Sequence, residues 1–417
     1  MLALTPSIRR CTVAALGVLT LAGCAALTPE RNAPPVELYD LAVAANLPDA
    51  RYWGDDIDER SRVLIEREVR GGMLRAWDHA GRPAEGLDIA LLALSGGGPD
   101  GAFGAGLLSG WTERGDRPAF HLVTGISVGA LIAPFAFVGP DYDRALRTMF
   151  TELDTRDVAE RQFVRAMFGA LGLARTDPLR RQIERFVDDD FLQRIAEGRR
   201  EGRMLLVGTT NLDAQRGVIW DMGKIAEAGE LELFRDVLLA SASIPGAFPP
   251  VGIEVEAEGR RYTEFHVDGG VATSVFVGPT RAADALPRDL PFPIQRRLFV
   301  IMNNSLVVPY RPVENRLREI VARSISGLIR AQADGDLIRM YVAANLAGAD
   351  FRLTFVPLGF DAPAESAFDR QYMTALFETA REIGRGEIPW WERPPALIGR
   401  QRLERVVTRR PDAATGR

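Results

Sequence analysis

Lysine, histidine and cysteine are all scarce in this chain of 417 residues, and each shortage removes a kind of chemistry. Lysine occurs once, at Lys224, which excludes a lysine-dense phosphate site; the other basic residues are arginine. Cys11 and Cys24 are the only cysteines, and histidine occurs at His79, His121 and His266 alone. No His/Cys ligand cluster exists, so the expected chemistry needs neither metal nor cofactor. The formal net charge is −5 with no basic stripe, which argues against nucleic acid as a partner. What remains is ordinary globular composition, 47% hydrophobic, long enough for one large α/β domain with extensions and showing no internal repeat.

The N-terminus has a processing signature. Arg9 and Arg10 precede an apolar stretch from Thr12 to Ala22, too short for a membrane span and suited to an export signal. Its ending, Leu21-Ala22-Gly23-Cys24, resembles a bacterial lipobox. The resemblance implies that Cys24 is lipidated and becomes the first mature residue, anchoring the protein firmly in a membrane. The alternative is a signal cleaved elsewhere beside an incidental cysteine. Ala25 stands where lipoproteins kept in the inner membrane typically carry aspartate, so the resemblance favours the outer membrane of a bacterial envelope. Residues 1–23 thus read as signal peptide, 24–40 as a proline-containing tether and 41–86 as an N-terminal helical extension. Residues 87–390 read as the main domain and 391–417 as a polar tail.

The main domain alternates strands and helices. Ile89 to Leu94 is an unbroken apolar run, as expected for a strand buried on both faces. Further strands are predicted at Phe120–Val123, Met204–Thr209, Val218–Asp221, Tyr262–Val267, Leu298–Met302 and Leu353–Val356. Helical patterns lie between most of them, at Ala102–Trp111, Ala130–Phe137, Pro178–Phe186, Leu231–Ala240 and Arg316–Asn345. Such alternation indicates an α/β fold, a largely parallel sheet covered by helices.

Three segments at strand ends carry chemistry. Gly125-Ile126-Ser127-Val128-Gly129 follows one strand and opens a helix, so that the turn exposes the Ser127 hydroxyl. Ser95-Gly96-Gly97-Gly98-Pro99-Asp100-Gly101 follows the preceding strand, and its bare amides suit a developing oxyanion. Gly96, Gly98 and Gly101 also fit a dinucleotide fingerprint, but no acidic strand end follows at the required distance. The amide of Val128, at the helix start, would add a further oxyanion donor. The third segment is Phe265-His266-Val267-Asp268-Gly269-Gly270, with an acid at a strand end.

A serine needs a base in contact. His79 precedes the core, and His121 lies six strand residues, roughly 20 Å, from Ser127. His266 remains the histidine alternative, and Asp268 is favoured because a carboxylate shielded from water becomes more basic. Phe103, Phe135, Phe137, Met149 and Phe150 are candidates for an acyl pocket or for plain core. Trp390-Trp391 reads either as a membrane-interface pair or as a packed C-terminal turn.

The ordered set Gly-Gly-Gly-x-x-Gly, Gly-x-Ser-x-Gly and Asp-Gly-Gly resembles the patatin-like phospholipase family. The likeness extends through Thr209-Thr210-Asn211-Leu212-Asp213 and Ala240 to Pro250, covering roughly Leu87 to Pro279. It implies a three-layer α/β/α catalytic domain over residues 87–390 and a lipid acyl hydrolase acting on membrane lipid or acyl esters. It implies a Ser–Asp dyad without histidine: Ser127 as nucleophile, Asp268 as base, and Gly96, Gly97 and Gly98 lining the oxyanion hole. One departure is Asp100, where the family usually has arginine or lysine; ionised and facing the site, it would oppose an anionic headgroup. An acyltransferase on the same dyad, or an envelope lipoprotein using the fold for binding alone, are the alternatives.

Overall fold

The computed structural model describes residues 31–55, 58–152, 160–161, 174–278, 287, 289–306, 312–366 and 368–398. The predicted signal peptide, Cys24 and the tail beyond Thr408 lie outside these residues. Among the described residues no helix is long and apolar enough to cross a membrane.

A nine-stranded mixed sheet organises the chain, with strand order β1-β5-β4-β3-β2-β8-β9 and β7 joining β4 to β6. Its elements are β1 (Arg51–Trp53), α1 (Glu59–His79), β2 (Leu87–Leu94), α2 (Gly101–Arg114), β3 (Leu122–Ile126) and α3 (Val128–Val138). Then follow α4 (Asp143–Thr151), α5 (Asp177–Phe186), α6 (Asp189–Arg200), β4 (Met204–Asn211), β5 (Arg216–Asp221), α7 (Met222–Glu227) and α8 (Leu231–Ser241). The remainder is β6 (Val251–Ala257), β7 (Arg260–Asp268), β8 (Ile294–Met302), α9 (Leu317–Leu346), β9 (Ala349–Phe355) and α10 (Arg370–Arg385). The strands β4, β3, β2, β8 and β9 run parallel, as expected for an α/β sheet.

The apolar run of β2 is continuous because both its faces are covered. Leu92 and Leu94 join the core with Leu107 of α2, Ile132 of α3 and Phe377 of α10. Ala93 faces the other way, among Leu337 and Met340 of α9, and Ile89 meets Ala76 of α1. Three layers result, helix on sheet on helix. The helices α2 and α10 touch backbone to backbone: a Cβ on Gly106 would lie 2.2 Å from Phe377 O, and one on Gly110 2.0 Å from Arg381 O.

Several segments depart from the sequence expectation. The N-terminal extension, expected to be helical, also supplies β1, which pairs antiparallel with β5 as an edge strand. The expected tether, residues 24–40, is docked near its middle: Arg31 forms a bidentate pair with Asp213 at 2.6 Å, and the Thr263 amide donates to Asn32 O at 2.8 Å. The strand β6 is not among the predicted strands because it alternates Glu with apolar residues, and it forms a hairpin with β7. The packed body also runs beyond 390. Trp390 stacks near Trp111 and Phe299, and Trp391 bridges Leu353 and meets Phe355, which makes the pair a packed turn and not an interface anchor.

The feature that builds the site lies along one edge of β4. The parallel neighbour β3 ends with Ile126 opposite Gly208. Beyond that point β7 takes over the same edge from the opposite direction and ends with Asp268 opposite Thr209. Two strands therefore meet head-on, and the residues just past their ends are brought together. The junction has no room for side chains: a Cβ on Gly208 would sit 2.3 Å from Ile126 Cδ1, and one on Gly269 would sit 2.5 Å from Gly208 O. Since the second contact is with backbone, Gly269→Ala is expected to cost about 1–3 kcal/mol. A lowered midpoint in chemical denaturation, with an unchanged slope, checks this.

Candidate active site

Ser127 sits where β3 turns into α3, at φ 55° and ψ −126°, a conformation that disfavours any residue with a Cβ. Strain of this kind, of order 1–3 kcal/mol, persists only where neighbours enforce it. They do so here. The Ser127 amide donates to Ser241 Oγ at 3.0 Å, and that hydroxyl donates in turn to Gly208 O at 2.7 Å. The Ser127 carbonyl accepts from the Ala130 and Leu131 amides. The flanking glycines are needed for close approach: a Cβ on Gly125 would lie 2.4 Å from Gly129 O, and one on Gly129 would lie 2.5 Å from Leu94 O.

Asp268 closes the other side. Its carboxylate lies near the Ser127 side chain, which pulls its carboxyl down, and the Gly270 amide donates to Oδ1 at 2.7 Å. Its backbone is fixed by the amide bond to Ser243 O and by Thr210 Oγ1, which donates to its carbonyl. Asp268 is only 5% exposed. Burial pushes its carboxyl up to about 6, against the opposing pull of Ser127 and of the Gly270 amide.

No histidine is bonded to the serine. His266, the alternative base, is wholly buried: its Nδ1 is 2.9 Å from Thr209 Oγ1 and its Nε2 is 3.0 Å from Glu264 Oε2. Glu264 also pairs with Arg51, so both ring nitrogens belong to a network that ties β1 to β7. His121 lies at the opposite end of β3, taking a long bond from the Ala90 amide, and His79 is exposed beside Glu201.

Because β2 and β3 are parallel neighbours, the glycine loop opens at the same sheet edge as Ser127. Within the loop the three glycines differ. The Gly96 amide donates to Ser274 O at 3.3 Å, so it is spent inside the fold and not free for an oxyanion. Gly96 instead lets the loop approach the serine: a Cβ there would lie 3.2 Å from Ser127 Cβ. The Gly97 and Gly98 amides have no acceptor among the described residues, and Gly98 adopts φ +57°, which favours glycine. Val128 is the first residue of α3, where an amide has no carbonyl one turn behind it. These three amides, not Gly96, are the available donors.

Residues without any motif hold this loop. Asn303, at the end of β8, receives the Gly104 amide on Oδ1 at 3.0 Å and donates through Nδ2 to Ser95 O at 2.8 Å. Its own amide donates to Ser95 Oγ at 2.8 Å. Asp336 of α9 accepts the Ser274 amide at 2.7 Å and so fixes the carbonyl that holds Gly96. Asp100, the residue expected to trouble an anionic substrate, is occupied: its carboxylate accepts the Tyr372 hydroxyl at 2.6 Å, and burial raises its carboxyl above the usual range.

An apolar cavity reaches the serine. Gly98, Ser127 and Val128 line it together with Leu131, Met149, Phe150, Leu179, Ile183 and Phe248. Of the five residues suggested for an acyl pocket, Met149 and Phe150 line this space, whereas Phe103, Phe135 and Phe137 are buried in the core.

Residues 92–281 match the family model described as Patatin-like phospholipase. They form a patatin-like phospholipase domain. This domain is that of a lipid acyl hydrolase in general, and it contains the Ser127 turn, the Asp268 strand end and the glycine loop. No curated protein matches the chain. Among solved structures, the crystal structure of VipD from Legionella pneumophila aligns at 13% identity with a TM-score of 0.37. It covers 73% of this chain and 67% of its own, an overlap too loose to build on.

The buried carboxyl has consequences that titration exposes. A folded-state value near 6, above the ordinary ~3.9, means that ionisation is disfavoured in the folded protein. Stability therefore falls as pH climbs between those values, and the deficit is complete above them. Asp268→Asn is expected to be more stable than the parent at pH 7 by about 2 kcal/mol, with the difference vanishing near pH 4. Denaturant midpoints across that range check it.

Proposed function

We propose that the patatin-like domain cleaves acyl esters of lipids through a Ser–Asp dyad, with Ser127 as nucleophile and Asp268 as its base. The observation that carries this reading is the meeting of Ser127 with a carboxylate buried where β3 and β7 end head-on, with both nitrogens of the nearest candidate histidine engaged elsewhere. A carboxyl held near 6 is mostly ionised at neutral pH and accepts a proton more readily than an ordinary aspartate.

In the first step Ser127 Oγ bonds to the ester carbonyl carbon while its proton passes to Asp268. The carbonyl oxygen becomes an oxyanion facing the Gly97, Gly98 and Val128 amides, each such donor being worth ~2.7–4 kcal/mol in comparable sites. The bond to the alcohol oxygen then breaks, and the leaving alkoxide takes the proton from Asp268. Water repeats the sequence on the acyl-enzyme: Asp268 removes its proton, the acid departs, and Ser127 regains its hydrogen. The apolar cavity suits the acyl chain.

The same proposal has Cys24 acylated at a bacterial envelope. Only six residues separate it from the docked Arg31, at most ~25 Å of extended chain, so the domain would work close to the membrane surface. The pair Arg31–Asp213 lies just beyond the β4 end that carries the site.

Two experiments test this reading. A fluorophosphonate probe is expected to label the full chain on a single serine, and Ser127→Ala should abolish both labelling and ester turnover, by ~10³-fold or more. Labelling that survives in Ser127→Ala, or its absence from folded parent protein, would rule the dyad out. In turn, kcat/KM should rise with pH through an acid limb near 6 as Asp268 ionises.

A further inference from the structure

The cavity beside Ser127 is lined almost wholly by apolar atoms, and apart from Ser127 itself one lining residue has a polar side chain. Leu179, Gln182 and Ile183 all line it from α5, at the i, i+3 and i+4 spacing that puts residues on one helix face. A side chain within that stripe is expected to be apolar. Leucine there would complete the wall, yet the position holds a primary amide. Its Oε1 is buried and has no hydrogen-bond partner among the described residues. It is the one such unpartnered atom among them that belongs to a residue lining this cavity.

Buried amide oxygens are ordinarily paired, and one left without a donor asks what satisfies it in the working state. Among the described residues no donor of the helix is bonded to it. Arg180, two residues before, is committed to Asp236 and Glu232 on α8. The terminal torsion of a glutamine is soft, so its amide turns readily toward a guest in the cavity. An unsubstituted acyl chain brings no donor. A hydroxylated one does.

We propose that Gln182 selects an acyl chain bearing a hydroxyl group, the hydroxyl donating to Oε1 as the chain fills the cavity. This rests on the proposed ester hydrolysis at Ser127 and narrows its substrate class. Gln182 then acts as a specificity residue: it touches the chain and not the reacting carbonyl. A site built to bond a hydroxyl discriminates against chains that lack it, because the protein group is otherwise left unpaired.

The test uses the full chain purified in mild detergent and 4-nitrophenyl esters of dodecanoic acid. The plain acid is compared with forms hydroxylated near the carboxyl, at mid-chain and at the tail. One hydroxylated ester is expected to exceed the plain ester in kcat/KM by about fivefold to tenfold. In Gln182→Leu, and in Gln182→Met as a second apolar replacement of similar length, that preference should vanish or reverse. Turnover of the plain ester should be retained in both. Fluorophosphonate labelling of Ser127 reports separately on the hydrolytic centre. If labelling and plain-ester turnover are normal but no hydroxylated ester is preferred, or the preference survives both substitutions, the assignment of Gln182 is wrong while the dyad stands. If labelling and all turnover are missing from the parent protein, both readings fall.

Discussion

Two strands that run toward each other along one edge of β4 are the constraint on which this site depends. A strand pair normally shares an edge for its whole length. Here β3 occupies that edge up to Gly208 and β7 occupies it from Thr209 onward. The chain leaving β3 must turn away at once, which puts Ser127 into its strained conformation. The chain leaving β7 must do the same, which explains the two glycines after Asp268. A hydroxyl and a carboxylate far apart in sequence thus meet without any loop having to carry them.

Placement inside the sheet also sets the electrostatics. Asp268 is shielded from water by the strands that position it, and burial outweighs the pull of Ser127 and the Gly270 amide toward its charged form. The same packing gives Ser127 its backing: Ser241 bridges the strained amide to Gly208 O, tying the turn to the strand it has just left. Opposite them, the glycine loop is held by Asn303 and by the Ser274 carbonyl, so the free Gly97 and Gly98 amides are fixed before any substrate arrives. Electrostatic stabilisation is strongest when donors need no rearrangement.

Much of this was legible in the sequence, for physical reasons. Glycines that permit close backbone contact are hard to disguise, so the Ser127 turn, the Asp268 strand end and the glycine loop could all be read directly. The buried apolar run of β2 was equally plain. Other parts depend on contacts between distant segments. Nothing local marks Asn303, Ser241 or Asp336 as supports, since each acts through partners remote in sequence. Gly96 was grouped with its neighbours as a donor because a run of glycines does not say which amide the fold consumes. The β1 and β6 strands were missed because one is three residues long and the other alternates charge with apolar residues on a half-exposed hairpin. Aromatic residues at helical spacing likewise do not reveal which of them face a cavity.

The most direct measurement is a crystal structure of the chain after phosphonylation by a lipid-like fluorophosphonate. Phosphorus bonded to Ser127 Oγ is expected, with a carboxylate oxygen of Asp268 within ~3.2 Å of that Oγ and the phosphonyl oxygen within ~3.1 Å of the Gly97, Gly98 or Val128 amides. An adduct on another residue, or an Asp268 carboxylate turned away beyond hydrogen-bonding reach, would contradict the head-on meeting of the two strands as the source of the proposed catalytic pair.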